Sequence, residues 1–298
     1  MPPRGSVELG RFGVWSWAPA GAPAAVMREV VPEIEELGYG ALWWPEAIGK
    51  ECFSTAAMLL QWSERLVVAS GIASIYARDP TAAANGARAL GEAYPGRFVL
   101  GLGVSHSHAV VARGHEYLRP LPAMQAYLDG MDAAVYRGPE PEEPVPVVLA
   151  ALGPKMLELA RERAAGAHPY FVPVEHTAIA RERLGPDSLL AVEQAVILER
   201  DDSRARELAR EHAGFYLQAE NYRNSMLRLG FDEADLADSG SNRLLEAVVA
   251  WGDEDTIRAR VQAHLDAGAD HVCIQPLHPQ GQLDVEHLRR LAPALVSL

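Results

Sequence analysis

The sequence is poor in cysteine and has no long hydrophobic run. Its two cysteines, Cys52 and Cys273, are far apart and match no CxxC spacing, so we expect neither a structural disulfide nor a cysteine metal site. No apolar stretch is long enough to span a bilayer. The first ten residues lack the apolar core of a signal peptide. We therefore expect a cytoplasmic protein.

The chain also lacks the excess of positive charge that nucleic-acid-binding proteins carry. Its net charge is −13, with 27 basic residues against 40 acidic ones. Such a surface repels phosphate backbones and anionic membranes. We therefore expect neither a nucleic acid nor a membrane as partner. Among the basic residues only Lys50 and Lys155 are lysines.

Eight short apolar runs alternate with amphipathic helical patterns along the 298 residues. Buried parallel strands are apolar on both faces, and strict alternation of strand and helix predicts a parallel α/β sheet. Eight strands favour closure into a single (β/α)8 TIM barrel, with a doubly wound sheet as the alternative. The predicted strands are residues 12–15, 41–44, 66–72, 98–104, 147–152, 169–172, 189–198 and 271–275.

The stretch from 199 to 253 is longer and more polar than one connection between strands needs. It predicts a helical insertion between strands seven and eight that covers one side of the barrel. Residues 1–298 are therefore expected to form one domain.

Ligands of this fold bind at the C-terminal ends of the strands. Glu46 follows strand two and a pair of tryptophans, which makes it a candidate general acid or base; a carboxylate on a surface loop is the alternative. The turn Gly153-Pro154-Lys155 opens a helix after strand five. Free N–H groups at a helix N-terminus attract anions, although an ordinary helix start has the same composition.

Other motifs argue against several chemistries. His106 and His108 suggest a metal site, but strand one has no histidine and strand eight ends in Gln275, so we predict no metal. The Gly101-x-Gly103 pair lies within a strand and lacks the third glycine of a dinucleotide fingerprint. No GxSxG sequence is present.

Several stretches together resemble the luciferase-like family of flavin- and deazaflavin-dependent oxidoreductases. They are residues 36–43 (ELGYGALW), 97–104 (RFVLGLGV) and 268–272 (GADHV). A closer resemblance, to a subfamily that uses coenzyme F420, lies in 42–47 (LWWPEA), 103–106 (GVSH), 150–160 (AALGPKMLELA), and 166–171 (GAHPYF) followed by His176-Thr177. The order and spacing of these stretches carry the resemblance. It implies a (β/α)8 barrel, an oxidoreductase activity and F420 as cofactor, with FMN as the alternative.

The resemblance also implies roles for individual residues. It places a non-proline cis peptide at Gly71–Ile72, behind the central ring of the cofactor. It implies further cofactor contacts from Ser70, Gly103 and Ser105 near the ring, and from Gly153, Lys155, Met156, His176 and Thr177 around the phosphate. Hydride transfer would take place at the deazaflavin C5. Lys50 and Lys155 both fall on ligand-side loops, where an anionic cofactor needs cations.

The residues expected near the reacting atoms match the family pattern less closely than those expected around the phosphate. A sugar-phosphate dehydrogenase branch of the family has an Asp-His pair and a glutamate where this chain has Pro45-Glu46 and Ser105-His106. Glu46 and His106 are therefore the candidate proton donors or acceptors, and the small organic substrate stays open. Three tryptophans are candidates for the substrate pocket, with core packing as the alternative: Trp15, Trp17 and Trp44.

Three other functions remain open. The first is an FMN-dependent monooxygenase of the same fold. The second is a cofactor-binding protein without catalysis. The third is a metal-dependent barrel hydrolase that uses His106, His108 and His115. Relatives often form dimers, so a homodimer is expected.

Overall fold

Parallel strands form a closed barrel in the computed structural model, which describes residues 5–278 and 283–298. The barrel strands pair in the cyclic order β1-β2-β3-β5-β6-β7-β8-β10, and β10 returns to β1. Two further strands, β4 and β9, pair with β5 and β8. The predicted (β/α)8 barrel is confirmed. The strands are β1 (Phe12–Trp15), β2 (Ala41–Trp44), β3 (Val67–Ser70), β4 (Ala73–Ser74), β5 (Phe98–Gly103), β6 (Val147–Leu149), β7 (Gly166–Ala167), β8 (Leu189–Ile197), β9 (Val249–Trp251) and β10 (His271–Pro276).

Helices surround this barrel. They are α1 (Ala18–Gly21), α2 (Ala24–Glu36), α3 (Cys52–Gln61), α4 (Pro80–Ala93), α5 (Ser107–Ala112), α6 (Pro120–Asp132), α7 (Pro154–Arg163), α8 (Val174–Leu184), α9 (Asp202–Tyr216), α10 (Glu220–Arg228), α11 (Asn242–Val248), α12 (Glu254–Asp266) and α13 (Val285–Val296). Several begin at a side-chain cap, as at Asp79, which accepts a hydrogen bond from the Ala82 N–H at 2.9 Å. Among the described residues, no helix has the length and hydrophobicity that crossing a membrane requires.

Side chains that alternate along the strands divide the core into two layers. An inner cluster fills the barrel and includes Trp15, Trp43 and Cys273. An outer cluster joins the strands to the surrounding helices and includes Leu42 and Trp44. The inner cluster continues into α9 and α11. The predicted insertion between the last two barrel strands is therefore helical and packs over the interior of the barrel.

The predicted position of the sixth strand is wrong. Residues 169–172 were expected to form it, but Gly166–Ala167 pair with β6 and β8. Two more backbone bonds follow, from the His168 N–H to the Leu149 carbonyl at 2.9 Å and from the Glu193 N–H to the Pro169 carbonyl at 3.1 Å. The chain then leaves the sheet, and Phe171 adopts a left-handed φ of 55°. The apolar character of 169–172 comes from packing at the mouth of the barrel.

Candidate active site

A bulge interrupts the third barrel strand at its C-terminal end. The peptide Gly71–Ile72 is cis, as the family resemblance implied. The Gly71 N–H donates to the Trp44 carbonyl at 2.7 Å. The Ser70 hydroxyl is bonded to both the N–H and the carbonyl of Gly101, each at 2.9 Å, and is fully buried. Ser70 therefore ties the bulge to β5 and offers no free hydroxyl to a ligand.

The side chain of Ile72 lies over Gly103 of β5. A Cβ atom at Gly103 would stand 2.6 Å from the Ile72 Cδ1, which is closer than carbon atoms can approach. Glycine at this position lets an apolar side chain rest flat against the strand. Ser105 follows in a left-handed turn with φ 57°. Three predicted ring-contact residues, Ile72, Gly103 and Ser105, therefore lie together where β5 ends.

Glu46 holds the bulge in place. Its N–H donates to the Ile72 carbonyl at 2.9 Å, and its carboxylate accepts the N–H groups of Ser74 (3.0 Å) and Cys52 (3.1 Å). The Nη1 and Nη2 atoms of Arg78 both donate to the same carboxylate, Nη1 at 2.9 Å. Only 3% of the Glu46 side chain is exposed. With its oxygens engaged in four hydrogen bonds, the carboxylate is built to position the bulge.

Arg78 is the partner that the sequence analysis missed. Burial opposes its charge, but the hydrogen bond and the negative charge of Glu46 outweigh burial and raise the pKa of Arg78. Arg78 also reaches Glu51 at 2.9 Å. Nothing in the sequence pairs residues 46 and 78, because the contact depends on how loops from two strands meet.

Beneath the bulge, two buried nitrogens face Gly71. The Trp15 Nε1 and the His168 Nε2 each lie 2.8 Å from the position that a Gly71 Cβ would take, and neither has a hydrogen-bond partner. The His168 Nδ1–H donates to the Ala191 carbonyl at 2.9 Å, which leaves Nε2 as a lone pair. Burial lowers the pKa of His168 to about 4, so the ring is neutral at pH 7.

Of the two adjacent tryptophans on β2, Trp43 faces the interior. It stacks on His168 with ring centroids 4.4 Å apart, and its Nε1–H donates to the His271 Nε2 at 3.2 Å. Trp44 is fully buried in the outer cluster with the helices. The structure therefore does not bring Trp44 to the pocket, because neighbouring side chains on a strand point to opposite faces.

Aromatic side chains cover the mouth of the barrel. Tyr170 and Phe171 meet Tyr216 and Tyr222 of the insertion, with ring centroids 4.9 to 6.3 Å apart. The Tyr170 hydroxyl donates to the Gln275 Oε1 at 2.7 Å. Tyr216 must then donate to Tyr170, and their oxygens are 2.6 Å apart. These aromatic rings exclude water from the centre of the barrel.

A cavity of about 340 Å³ lies beside this aromatic cover, between the ends of β1 and β10 and helix α9. Trp15 and Trp17 line it together with Tyr216 and Gln275. Trp15 is common to the cavity and the bulge, because its Nε1 faces Gly71, and Trp17 is 37% exposed at the opening. A larger cavity of about 540 Å³ lies among α4, α6 and α7, beside residues 140–147 at the N-terminal end of β6.

His106 stands at the start of α5, under the insertion. Its ring stacks on that of His108 with centroids 5.8 Å apart and contacts Tyr222 at 5.7 Å. Burial, together with the charge of His108, lowers the pKa of His106, although a hydrogen bond with Asn221 opposes the shift. The imidazole is therefore neutral at pH 7.

The turn before α7 presents the predicted anion site. Gly153 is the N-cap, and no side chain caps the helix. Lys155 is exposed, and Met156 lies in the first turn with its N–H directed at the Gly153 carbonyl (3.1 Å). The end of the insertion also reaches this turn, because the Arg228 Nη2 lies 3.7 Å from the position of a Gly153 Cβ. Nothing in the sequence singles out Arg228.

Two further predicted phosphate contacts have other partners. The His176 Nε2–H donates to the Leu152 carbonyl at 3.0 Å, and the ring is 2% exposed. The Thr177 hydroxyl is bonded to the His264 Nδ1 at 2.8 Å and is fully buried between α8 and α12. His176 therefore borders the turn, whereas the Thr177 hydroxyl lies away from it.

Lys50 donates to the carbonyls of Pro19 (3.2 Å) and Ala22.

Within residues 5–278 and 283–298, no three His, Cys, Asp or Glu side chains come close enough to share a metal ion. His106 and His108 stack on each other, and Tyr76 contacts His115 at a centroid distance of 6.1 Å. The described part of the structure therefore gives no support to a metal-dependent hydrolase.

Known proteins resemble this chain in sequence or in fold. A 5,10-methylenetetrahydromethanopterin reductase from Methanolobus tindarius is 24% identical over 281 residues, which cover 80% of this chain and 86% of that protein. An F420-dependent secondary alcohol dehydrogenase, solved with an F420-acetone adduct, superposes with a TM-score of 0.75 at 14% identity, over 97% of this chain and 99% of that one.

The FMN-containing oxygenating constituent of 3,6-diketocamphane monooxygenase, from Pseudomonas putida, superposes with a TM-score of 0.66 at 15% identity, over 96% of this chain and 98% of that one. The two superpositions show that the fold is shared. The family model described as luciferase-like monooxygenase matches residues 5–271. The match spans most of the sequence, and the chain therefore belongs to the luciferase-like monooxygenase family.

Proposed function

We propose that this protein is an F420-dependent oxidoreductase that transfers a hydride between the deazaflavin C5 and a small, uncharged organic substrate. The observation that carries the proposal is the bulge at Gly71–Ile72, where Ile72 lies flat over Gly103 at the C-terminal end of the barrel. The structural neighbour solved with an F420-acetone adduct supports the choice of cofactor.

The residues around the bulge fit a planar ring. Gly103 has no side chain and lets Ile72 lie against β5, so that Ile72 offers an apolar face to the ring. Farther along the barrel rim, the uncapped start of α7 at Gly153 suits a phosphate. When bound, a deazaflavin supplies the carbon that donates or accepts the hydride. The chain itself orients the ring and keeps water away.

We place the substrate in the cavity that Trp15 lines, because the same side chain also reaches Gly71 at the bulge. The cavity walls are largely aromatic, and the nearby hydroxyls of Tyr170 and Tyr216 are already engaged in hydrogen bonds. A volume of about 340 Å³ is near the lower end of ligand pockets, which run from roughly 300 to 1,000 Å³. These features favour a small molecule with little charge. Glu211 on the rim disfavours an anion.

Cofactor binding is the first test of this proposal. Titration of the apoprotein with F420 and with FMN, followed by fluorescence quenching, is expected to give micromolar or tighter binding of F420 and weaker binding of FMN. FMN binding without F420 binding would instead support a monooxygenase of the same family. Tight F420 binding with no single-turnover oxidation of F420H2 by enones, imines or quinones would indicate a binding protein.

Replacement of His106 tests the proton-transfer step. Because its lowered pKa keeps His106 neutral at pH 7, the ring is in the form that can accept a proton from a substrate hydroxyl. His106→Gln is therefore expected to lower kcat for oxidation of a hydroxyl-bearing substrate by F420 by about 10²- to 10⁴-fold, with the Kd for F420 unchanged. In the wild type, kcat/KM for oxidation should stay level with falling pH until below 6.5.

The control is His108→Gln, which removes the stacked neighbour of His106. It should leave kcat within about two-fold, because His108 is exposed and is not placed at the mouth. Equal losses in the two variants would assign the effect to the folding of α5 and remove His106 from the reaction.

A further inference from the structure

The cavity between the ends of β1 and β10 and helix α9 contains polar groups that have no part in the proposed reaction so far. Its volume is about 340 Å³, and much of its wall is aromatic, with Trp15, Trp17 and Phe215 among the side chains that line it. Two polar side chains enter this wall from different elements, Gln275 from β10 and His212 from α9. Of the described residues that line the cavity, none is a lysine or an arginine.

A chain of hydroxyl groups fixes the orientation of the Gln275 amide. The Tyr216 hydroxyl donates to that of Tyr170 at 2.6 Å, and the Tyr170 hydroxyl donates to the Gln275 Oε1 at 2.7 Å. Because Oε1 is occupied in this way, the end of the amide that remains for a ligand is Nε2, which carries two N–H donors. Gln275 is only 5% exposed, and a buried donor is costly to leave without an acceptor. Gln275 therefore offers a donor to an acceptor that enters the cavity.

The ring of His212 is the second polar group of this wall. It packs against Phe171 and Tyr216, with ring centroids 5.8 and 4.9 Å away, and its Nε2 is buried without a hydrogen-bond partner. Burial lowers the pKa of His212 to about 3, so the ring is uncharged at pH 7 and carries one N–H donor and one lone pair. An acceptor in the cavity selects the tautomer whose N–H faces it.

We infer that Gln275 and His212 determine the substrate specificity, because together they bind the carbonyl oxygen of a neutral organic compound. The inference rests on the proposed function, since it takes this cavity as the substrate site. A carbonyl oxygen has two lone pairs and no proton of its own, so it matches two N–H donors. A carboxylate would find no cationic side chain among the described residues of the wall, and Glu211 on the rim repels it. The aromatic wall contacts the hydrocarbon part of the substrate.

The test compares two ligands that differ in one atom group. Cyclohexanone is paired with methylenecyclohexane, in which a CH2 group replaces the carbonyl oxygen at nearly the same shape. Dissociation constants for the full chain without F420 are measured by ligand-observed NMR titration. His212→Phe keeps an aromatic ring against Phe171 and Tyr216, and it should weaken cyclohexanone binding by roughly 3- to 10-fold while leaving methylenecyclohexane unchanged. Gln275→Met keeps the length of the side chain without an N–H donor and should have the same selective effect.

Arg210→Ala is the matched control on α9, because the Arg210 Nη2 donates to the Asn242 Oδ1 at 2.7 Å and its side chain does not line the cavity. It should bind both ligands as the wild type does. Wild-type affinity of His212→Phe and Gln275→Met for cyclohexanone would overturn the inference, as would equal losses for the two ligands or a wild type that binds neither. Because these titrations contain no F420, such results leave the proposed function standing, whereas its own failure appears in the F420 titration.

Discussion

Replacement of Glu46 by glutamine is expected to lower the free energy of unfolding by about 3–5 kcal/mol. The carboxylate is 3% exposed and is bound by Arg78, whose side chain is 10% exposed. Loss of the negative charge leaves a buried guanidinium without its main partner. The remaining contact of Arg78 with Glu51 reaches a side chain that is about half exposed and compensates little.

Thermal and urea unfolding measure this loss. Glu158→Gln is the control, because Glu158 forms an exposed ion pair with Arg183 at 3.4 Å and its loss should change stability by less than about 1 kcal/mol. Glu46→Gln should also bind F420 more weakly, since the N–H groups of Ser74 and Cys52 would have one amide oxygen in place of two carboxylate oxygens. Unchanged stability and F420 affinity, together with lost turnover, would show instead that Glu46 transfers protons.

The second large effect concerns Glu193 and pH. This carboxyl group lies inside the barrel, where its Oε2 accepts the Phe171 N–H at 3.0 Å and its Oε1 has no partner. Burial raises the pKa of Glu193 from 4.5 to about 8, although the Phe171 N–H opposes the shift. Glu193 is therefore neutral in the folded protein at pH 7, whereas it is ionised in the unfolded chain.

The sign of the pH dependence follows from proton binding. Between about pH 4.5 and pH 8 the folded state holds a proton on Glu193 that the unfolded state has released, so this group makes stability fall as pH rises. Above pH 8 both states are ionised and the contribution is constant. Glu193→Gln removes the titration, because the amide stays neutral. The free energy of unfolding of the variant minus that of the wild type should therefore increase between pH 5 and pH 8.5. The increase should be on the order of a few kcal/mol.

Unfolding midpoints measured from pH 5 to pH 9 for both proteins test this prediction. The buried histidines act in the opposite direction and serve as an internal reference. Burial lowers the pKa of His271 to about 4 and that of His212 to about 3, so their contribution to stability is lost as pH falls below 6.5. Both proteins should therefore lose stability in the same way as the pH falls below 6.5. Parallel curves above pH 5 would contradict a neutral Glu193.

Much of the barrel could be predicted from local patterns. Strands such as Phe12–Trp15 and Ala41–Trp44 are short apolar runs that begin and end where the pattern predicts, because strands with both faces covered have no polar side. The sixth strand was misplaced by three residues for the same reason. Residues 169–172 are as apolar as a strand, but they are buried by the aromatic cover, and hydrophobicity alone does not distinguish the two environments.

Some residues of the site could likewise be predicted from the sequence, and others could not. The glycines at 71, 103 and 153 were identified from the resemblance, since a backbone that must approach a ligand or a side chain leaves a glycine in the sequence. Which tryptophan of β2 faces inward depends on the orientation of the strand in the barrel, which selects Trp43 over Trp44. The sequence also placed Glu46 at the site, but its partner Arg78 was not foreseen.

The sequence by itself therefore determined the fold class, the family and the elements that carry the site, because periodicity, glycine positions and short motifs are local properties of the chain. Only the tertiary structure decided what the polar groups do. Glu46 became a buried anchor through Arg78, Thr177 was taken up by His264, and the insertion brought Arg228 to the start of α7. Each of these contacts joins residues at least 32 positions apart, and hydrogen bonds and charges act across space, where separation along the chain carries no information.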